Sequence, residues 1–282
     1  MEIYRMKEEQ VDAFMHYLTH EERAAGTIEK YKRDILAFMR WADGRAVTRE
    51  LTAGWKDYLV TERGYAPVTV NSMLAAVHSF FVFLGWEQCC VKFLKIQRKI
   101  FRDKERELTL EDYKKLVGAA KEKGRSRLAL LLETICGTGI RVSEVQYITV
   151  EAAKAGCTEI MLKGKIRTIL FPAKLCRKLL KYAKKEKISS GQIFITSRGR
   201  GLSRGQIWSE MKGLCEDAGV DPSKVFPHNL RHLFATVFYS ACRDIAKLAD
   251  LLGHSSIETT RIYLLTTGKE HRRQLDELNI IT

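Results

Sequence analysis

Residues 252–263 read LGHSSIETTRIY and set a histidine, His254, nine residues ahead of a tyrosine, Tyr263. Thirty-five residues before that tyrosine stands His228, which opens HNLRH (228–232) with Arg231 three positions on. On a helix that spacing puts both side chains on one face. Farther upstream, GTGIRVSEV (137–145) carries Arg141 just after two glycines and Glu144 three residues later. Between these runs lies LKGKIRT (162–168), a lysine-rich turn with Lys163, Lys165 and Arg167. Taken singly, each piece has an ordinary reading: a core tyrosine, a glycine helix cap, a satisfied histidine at a helix end. Taken together they supply a nucleophile, proton-transfer groups and two guanidinium forks, the inventory needed to cleave a phosphodiester without metal.

The residue types fit that chemistry. A scissile phosphate carries anionic oxygens, and guanidinium groups match them bidentately without losing charge. A free phenol, with a pKa near ~10, is a poor nucleophile at neutral pH. Nearby cations and a proton-accepting histidine make it competent. A lysine at a hairpin tip, here Lys163 with Lys165 and Arg167 as competitors, can reach to protonate a leaving alkoxide. Glu144 can hold Arg141 in place. No GK[ST] follows the glycines, so a P-loop is excluded; Asn229 stands where a zinc protease helix needs glutamate.

Net charge is +14, with a pI near 9.5, which favours a polyanionic partner. Residues 1–100 hold 15 Lys and Arg against 13 Asp and Glu, so nearly all of that excess belongs to the remainder. Hydrophobic residues make up 45% and charged residues 29% of 282, a soluble balance long enough for two domains. No apolar run approaches the roughly 18 residues of a membrane helix, and the N-terminus lacks an apolar signal core. The expectation is a cytoplasmic protein with no membrane partner. Seven cysteines, Cys89 and Cys90 adjacent and the others scattered singly, suit reduced thiols rather than a disulfide framework or a zinc site.

Periodicity predicts a mainly α chain with a small antiparallel sheet. Residues 1–94 read as a four-helix domain. Val11, Phe14, Met15 and Leu18 form one apolar face, Thr27 is an N-cap candidate, and Pro67 opens the fourth helix. Lys30 and Arg33 are placed to meet phosphates. Residues 95–107 read as a charged linker and 108–282 as a second domain. There, Thr109 with Asp112 and Ser203 with Gln206 are capping boxes. Residues 157–172 suggest a short hairpin or three-strand sheet, and 191–203 a strand with an Arg/Gly loop. Arg198, Arg200, Ser203 and Arg204 around that loop are candidate DNA contacts, as are Lys165 and Arg167 of the lysine turn.

With Arg141, the KGK turn, HNLRH, LLGH and Tyr263 in this order, the chain resembles the tyrosine recombinase (phage integrase) family over nearly its whole length. It looks like a Xer-like, two-domain member, without an added arm-binding domain. The resemblance implies a helical core-binding domain and a catalytic domain. Arg141 and Arg231 would clamp the scissile phosphate. Lys163 would be the general acid, His228 would assist proton transfer, and His254 would stabilise the phosphate. Tyr263 would attack to give a 3′-phosphotyrosyl link and a free 5′-hydroxyl, with no cofactor, metal or ATP. It further implies double-stranded DNA at specific sites, a homotetramer on two sites, and an accessory DNA-bending or directionality protein as partners. An apolar tail, Leu275, Leu278, Ile280 and Ile281, would dock on a neighbouring protomer. The hairpin, LKGKIRT, is one residue tighter than the family's GKGxKxR. Two rivals use the same residues: a type IB topoisomerase, and a catalytically silent DNA-binding regulator on the same fold.

Overall fold

The computed structural model describes residues 4–96, 107–162, 165–261, 263 and 276–277. The chain divides into two compact units, residues 1–98 and 99–282. Most of the expected linker lies outside the described residues.

Among its described residues the first unit holds four helices: α1 (Glu8–His20), α2 (Ala25–Ala42), α3 (Arg49–Thr61) and α4 (Pro67–Phe83), followed by a 3₁₀ turn at Glu87–Cys89. Each turns one apolar stripe inward. Val11, Phe14 and Leu18 from α1 meet Ile35 and Phe38 from α2, Trp55 and Leu59 from α3, and Val70, Leu74, Val77, Phe80 and Phe81 from α4. Rings pack edge-on, with Phe38 centred 5.0 Å from Trp55 and 5.7 Å from Phe81, a geometry the aromatic quadrupole favours. Thr48 caps α3 through the Leu51 N–H, and Pro67 occupies the first turn of α4. Thr27 is not a cap: α2 begins two residues earlier, after Ala24.

Asp34, 1% exposed, needs charge partners and takes two. Lys30 Nζ lies 2.7 Å away on one side and Arg33 Nη2 3.0 Å away on the other. Lys30 also donates to the Ser72 carbonyl at 2.9 Å, tying α2 to α4. Lys30, expected to face phosphate, has its ammonium on Asp34 and the Ser72 carbonyl, because a buried carboxylate is costly to leave unpaired. Arg33 remains 71% exposed.

In the second unit, α5 (Leu110–Glu122) starts at the Thr109/Asp112 capping box. The central α6 (Ser126–Thr138) is apolar nearly all round, with Leu128, Leu131, Leu132 and Ile135 buried. Its Thr134 and Thr138 hydroxyls donate back to the carbonyls four residues earlier. Gly139 stops it in the left-handed region at φ +64°, where a Cβ would sit 2.4 Å from the Phe234 ring. A 3₁₀ segment (Val142–Tyr147) and α7 (Val150–Ala155) lead to β1 (Cys157–Leu162) and β2 (Lys165–Leu170). These strands pair antiparallel, from Cys157 opposite Leu170 to Leu162 opposite Lys165.

The basic α8 (Ala173–Lys185) follows, burying Leu175, Leu179 and Ala183. The expected strand at 191–196 is absent; only single bridges form, Gln192 with Thr149 and Ile195 with Gly201. Ile193 and Phe194 are consecutive and both buried. The segment therefore crosses the core rather than alternating one face inward and one outward. α9 (Arg204–Lys212) begins at the Ser203/Gln206 capping box. Then come α10 (Cys215–Ala218), α11 (Pro227–Cys242), α12 (Ile245–Leu252) and α13 (Ile257–Arg261). Among the described residues, no helix is long and apolar enough to cross a membrane.

Candidate active site

The site is built around the C-terminal end of α12. A helix end leaves carbonyls without intrahelical donors and carries partial negative charge, so it attracts cations. Gly253 turns the chain there in the left-handed region. Three successive carbonyls each receive a guanidinium. Arg167 Nη2 donates to Leu251 O at 2.7 Å, Arg231 Nη2 to Leu252 O at 2.7 Å, and Arg141 Nη2 to Gly253 O at 3.3 Å. One eight-residue helix thus gathers arginines from three distant parts of the chain.

Gly253 is demanded twice, by its φ of +61° and by Arg167. A Cβ there would lie 2.3 Å from Arg167 Cδ and 2.7 Å from its Nε. Gly253→Ala is expected to cost about 2 kcal/mol or more, from left-handed strain plus overpacking. Urea unfolding measures it; an unchanged midpoint would contradict the packing described.

Glu144, fully buried, couples two of the arginines. Its Oε1 accepts from Arg141 Nη1 at 2.9 Å. Its Oε2 accepts the Arg141 backbone N–H at 2.8 Å and also Arg167 Nη1. Burial pushes the carboxyl upward, but the Arg141 backbone N–H and the two guanidiniums outweigh it and hold Glu144 below the usual carboxylate range. Arg167, expected to reach out from the hairpin, is instead 8% exposed, with its guanidinium on Glu144 and Leu251 O.

Arg231, on the first turns of α11, is 2% exposed. Besides Leu252 O it donates through Nη1 to Gly139 O at 2.5 Å and lies 2.9 Å from His254 Nε2. Burial, then the charges of Arg141 and Arg167, lower its pKa to about 10, still well above neutrality. Arg141, by contrast, keeps a side chain 39% exposed and is the guanidinium most open to a ligand.

The partners of His254 assign its tautomer. A guanidinium only donates, so Nε2 accepts from Arg231 and the proton sits on Nδ1, 2.9 Å from the Thr260 hydroxyl. Burial, then Arg231, Arg141 and Arg167, depress its pKa to about 4. His254 is neutral at physiological pH. Its folded pKa lies below the ordinary 6.5, so the unfolded chain takes up this proton first as pH falls. The resulting stability is fully present above pH 6.5 and is lost as pH drops towards 4. Urea unfolding at pH 7 and pH 4.5 should show a smaller acid-induced loss for His254→Gln than for wild type; equal losses would contradict the assignment.

Tyr263 is 4% exposed and packs with Ala235, Leu248 and Leu252. Its ring lies nearly parallel to His254, 13° off with centroids 5.9 Å apart, and edge-on to His232 at 4.9 Å. His228 is exposed on the first turn of α11, close enough to His254 for the two to repel when both are protonated. Arg141, Glu144, His228, Arg231, His254 and Tyr263 are thus brought into one neighbourhood. Lys163 lies outside the described residues, as do the side chain of Lys165 and the tail residues Leu275, Leu278, Ile280 and Ile281.

Arg198, Arg200 and Arg204 are exposed around the start of α9, while the Ser203 hydroxyl is taken by the Gln206 N–H. Sequence reasoning missed Thr260, which orients His254 and sits in no recognisable pattern. It also passed over Trp208, 51% exposed between Arg204 and Lys212, with the Lys212 ammonium 5.3 Å from its ring centre. That i, i+4, i+8 stripe, with Ile207 and Met211 buried on the other side, was visible in the spacing.

The profile of the phage integrase family matches residues 106–269, and that of the phage integrase N-terminal SAM-like domain matches residues 11–88. The chain belongs to the phage integrase family. It is by that membership a tyrosine-type, site-specific DNA recombinase. Tyrosine recombinase XerA of Pyrococcus furiosus is 30% identical, over 98% of this chain and 96% of that protein. Tyrosine recombinase XerC of Roseiflexus castenholzii is 32% identical, over 90% and 88%. Among solved structures, a lambda integrase tetramer bound to a Holliday junction superposes with a TM-score of 0.74 at 19% identity, over 93% of this chain and 77% of that one. A post-cleavage complex of the XerH recombinase on its difH substrate gives 0.67 at 21% identity, over 90% and 79%. At these identities the structural likenesses speak to the integrase fold alone.

Proposed function

We propose that this integrase-family chain breaks and rejoins DNA through a phosphotyrosyl link on Tyr263, with Arg141 and Arg231 gripping the scissile phosphate. The carrying observation is the convergence of Arg141, Arg231, His254 and Tyr263 on the end of α12. The Tyr263 oxygen attacks phosphorus, and the bond to the 5′-oxygen breaks. That oxygen takes a proton from Lys163 and leaves as a 5′-hydroxyl, while the DNA 3′-phosphate stays on the tyrosine. A partner strand's 5′-hydroxyl reverses the step, so the phosphodiester energy is retained and no ATP is consumed.

The two histidines divide their work. His254 has its Nε2 lone pair on Arg231 and its proton on Thr260, which supports a role in aiming Arg231 rather than in taking the phenol proton. The acceptor role is assigned to His228, which is exposed on α11. Arg231 and Tyr263 are both closed to solvent in the DNA-free chain, so binding DNA has to open the corner before chemistry. Arg33, Arg198, Arg200 and Arg204 contribute phosphate contacts, and affinity falls steeply with salt.

The test uses duplex DNA from the gene's flanks, nicked beside the cleavage position so that the short strand diffuses away. A covalent protein–DNA band on a denaturing gel, formed in EDTA without ATP, is the expected result. Salt-sensitive binding with no band on any flanking site would favour the silent regulator; relaxation of plasmids without site preference would favour the topoisomerase. The active assembly is a tetramer on two sites joined by tail exchange. Truncation after residue 268 should leave DNA binding but abolish tetramers in light scattering; tetramers from the truncated chain would refute the exchange.

A further inference from the structure

Glu144 presents an electrostatic problem. It orients Arg141 with two bonds, one to the guanidinium and one to the backbone N–H. Yet a buried carboxylate beside a phosphate-gripping arginine cancels the charge that grip needs. Alone, the Arg141–Glu144 pair is neutral. The structure places a second guanidinium, Arg167, on the far side of the same carboxylate.

We infer that Arg167 is a positioning residue that neutralises Glu144, so that Arg141 keeps a full net positive charge for the scissile phosphate. The inference rests on the proposed phosphate-gripping role of Arg141. Exposure separates the two arginines: Arg167 is 8% exposed with both ends of its fork on protein acceptors, while Arg141 is the open one. Anchoring separates them too. Arg167 is pinned at both ends of its fork, by Glu144 and by Leu251 O at 2.7 Å, and its aliphatic stem fills the space that Gly253 leaves free. Arg141 is held by Glu144 on one nitrogen and only loosely, at 3.3 Å, by Gly253 O on the other. The loose nitrogen is the one a phosphate oxygen can claim. The trio of Arg141, Glu144 and Arg167 carries one net positive charge, and it is delivered at Arg141. Arg167 lies in β2, two residues from where the strand begins at Lys165, so the same side chain also ties the lysine hairpin to the α12 corner.

A charge-compensation series tests this. Arg167→Met keeps length and apolar stem but strands the Glu144 charge against Arg141. Adding Glu144→Gln removes that charge and leaves an amide oxygen for Arg141. In single-turnover cleavage of nicked DNA at saturating protein, Arg167→Met should fall about 100-fold, the scale of losing one preorganised transition-state contact. DNA affinity should change less than about threefold, because the Arg167 fork is held by Glu144 and Leu251 O. The double variant should regain at least about tenfold over Arg167→Met, since the lost charge balance is restored. Carboxyl NMR of the DNA-free protein should show the Glu144 titration moving upward in Arg167→Met. A purely structural role predicts a double variant no better than the single, and that result, or a wild-type rate in Arg167→Met, would overturn the inference. Should wild type itself form no adduct, the proposed phosphotyrosyl mechanism at this site would fall, while an unmoved Glu144 titration would separately overturn the coupling.

Discussion

Tyr263→Phe is expected to abolish the covalent protein–DNA band while leaving DNA binding intact. The substitution removes one oxygen and keeps a ring that packs against His254, His232, Leu248 and Leu252. The fold should therefore survive, and the cleavage rate should drop by at least about 10⁴-fold, as removal of an enzyme's nucleophile does. Binding rests on phosphate contacts from exposed arginines that the change does not touch. Gel-shift affinity alongside denaturing-gel cleavage separates the two effects. Residual adduct within about tenfold of wild type would mean another nucleophile does the work.

Arg231→Lys should damage both chemistry and stability. Arg231 serves Gly139 O, Leu252 O and His254 Nε2 at once, joining the ends of α6 and α12 to the ring beside the tyrosine. One ammonium cannot span those three acceptors, and it lacks the planar fork that fits a phosphate. Each buried acceptor left alone costs about 1–3 kcal/mol, so a loss of about 3 kcal/mol or more is expected in urea unfolding. Cleavage should fall about 10²–10³-fold in the fraction that remains folded. A folded variant cleaving within tenfold of wild type would show that charge at position 231, not its geometry, is what matters.

How much of this was legible in the sequence depends on which physical signal each feature carries. The helices of the first unit announce themselves because Val11, Phe14 and Leu18, or Val70, Leu74 and Val77, recur at the period of one buried face. The Thr109 and Ser203 caps follow from a side-chain oxygen three residues before its mate. Ala24 as the cap of α2 could not be read, since its side chain accepts no bond and it competes with a better-looking Thr27. Ile193 and Phe194 read as a strand because β-rich residues do so whether they pair or simply cross a core.

At the site, Arg141, His228, Arg231, His254 and Tyr263 were readable as chemistry-bearing types in motifs. Lys30 and Arg167 were not readable in the same way. Charge in a sequence carries no mark of whether its partner is solvent, DNA or a buried carboxylate. Both turned out to serve Asp34 and Glu144, carboxylates 1% and 0% exposed. The staircase of carbonyls at Leu251, Leu252 and Gly253 was equally hidden, because backbone oxygens are the same in every sequence.

The most direct measurement is mass spectrometry of the trapped adduct after nuclease digestion. The account predicts a peptide containing Tyr263 that carries a nucleotide joined through its 3′-phosphate, with a free 5′-hydroxyl on the other DNA end. A nucleotide on any other residue, or one joined through a 5′-phosphate, would contradict it.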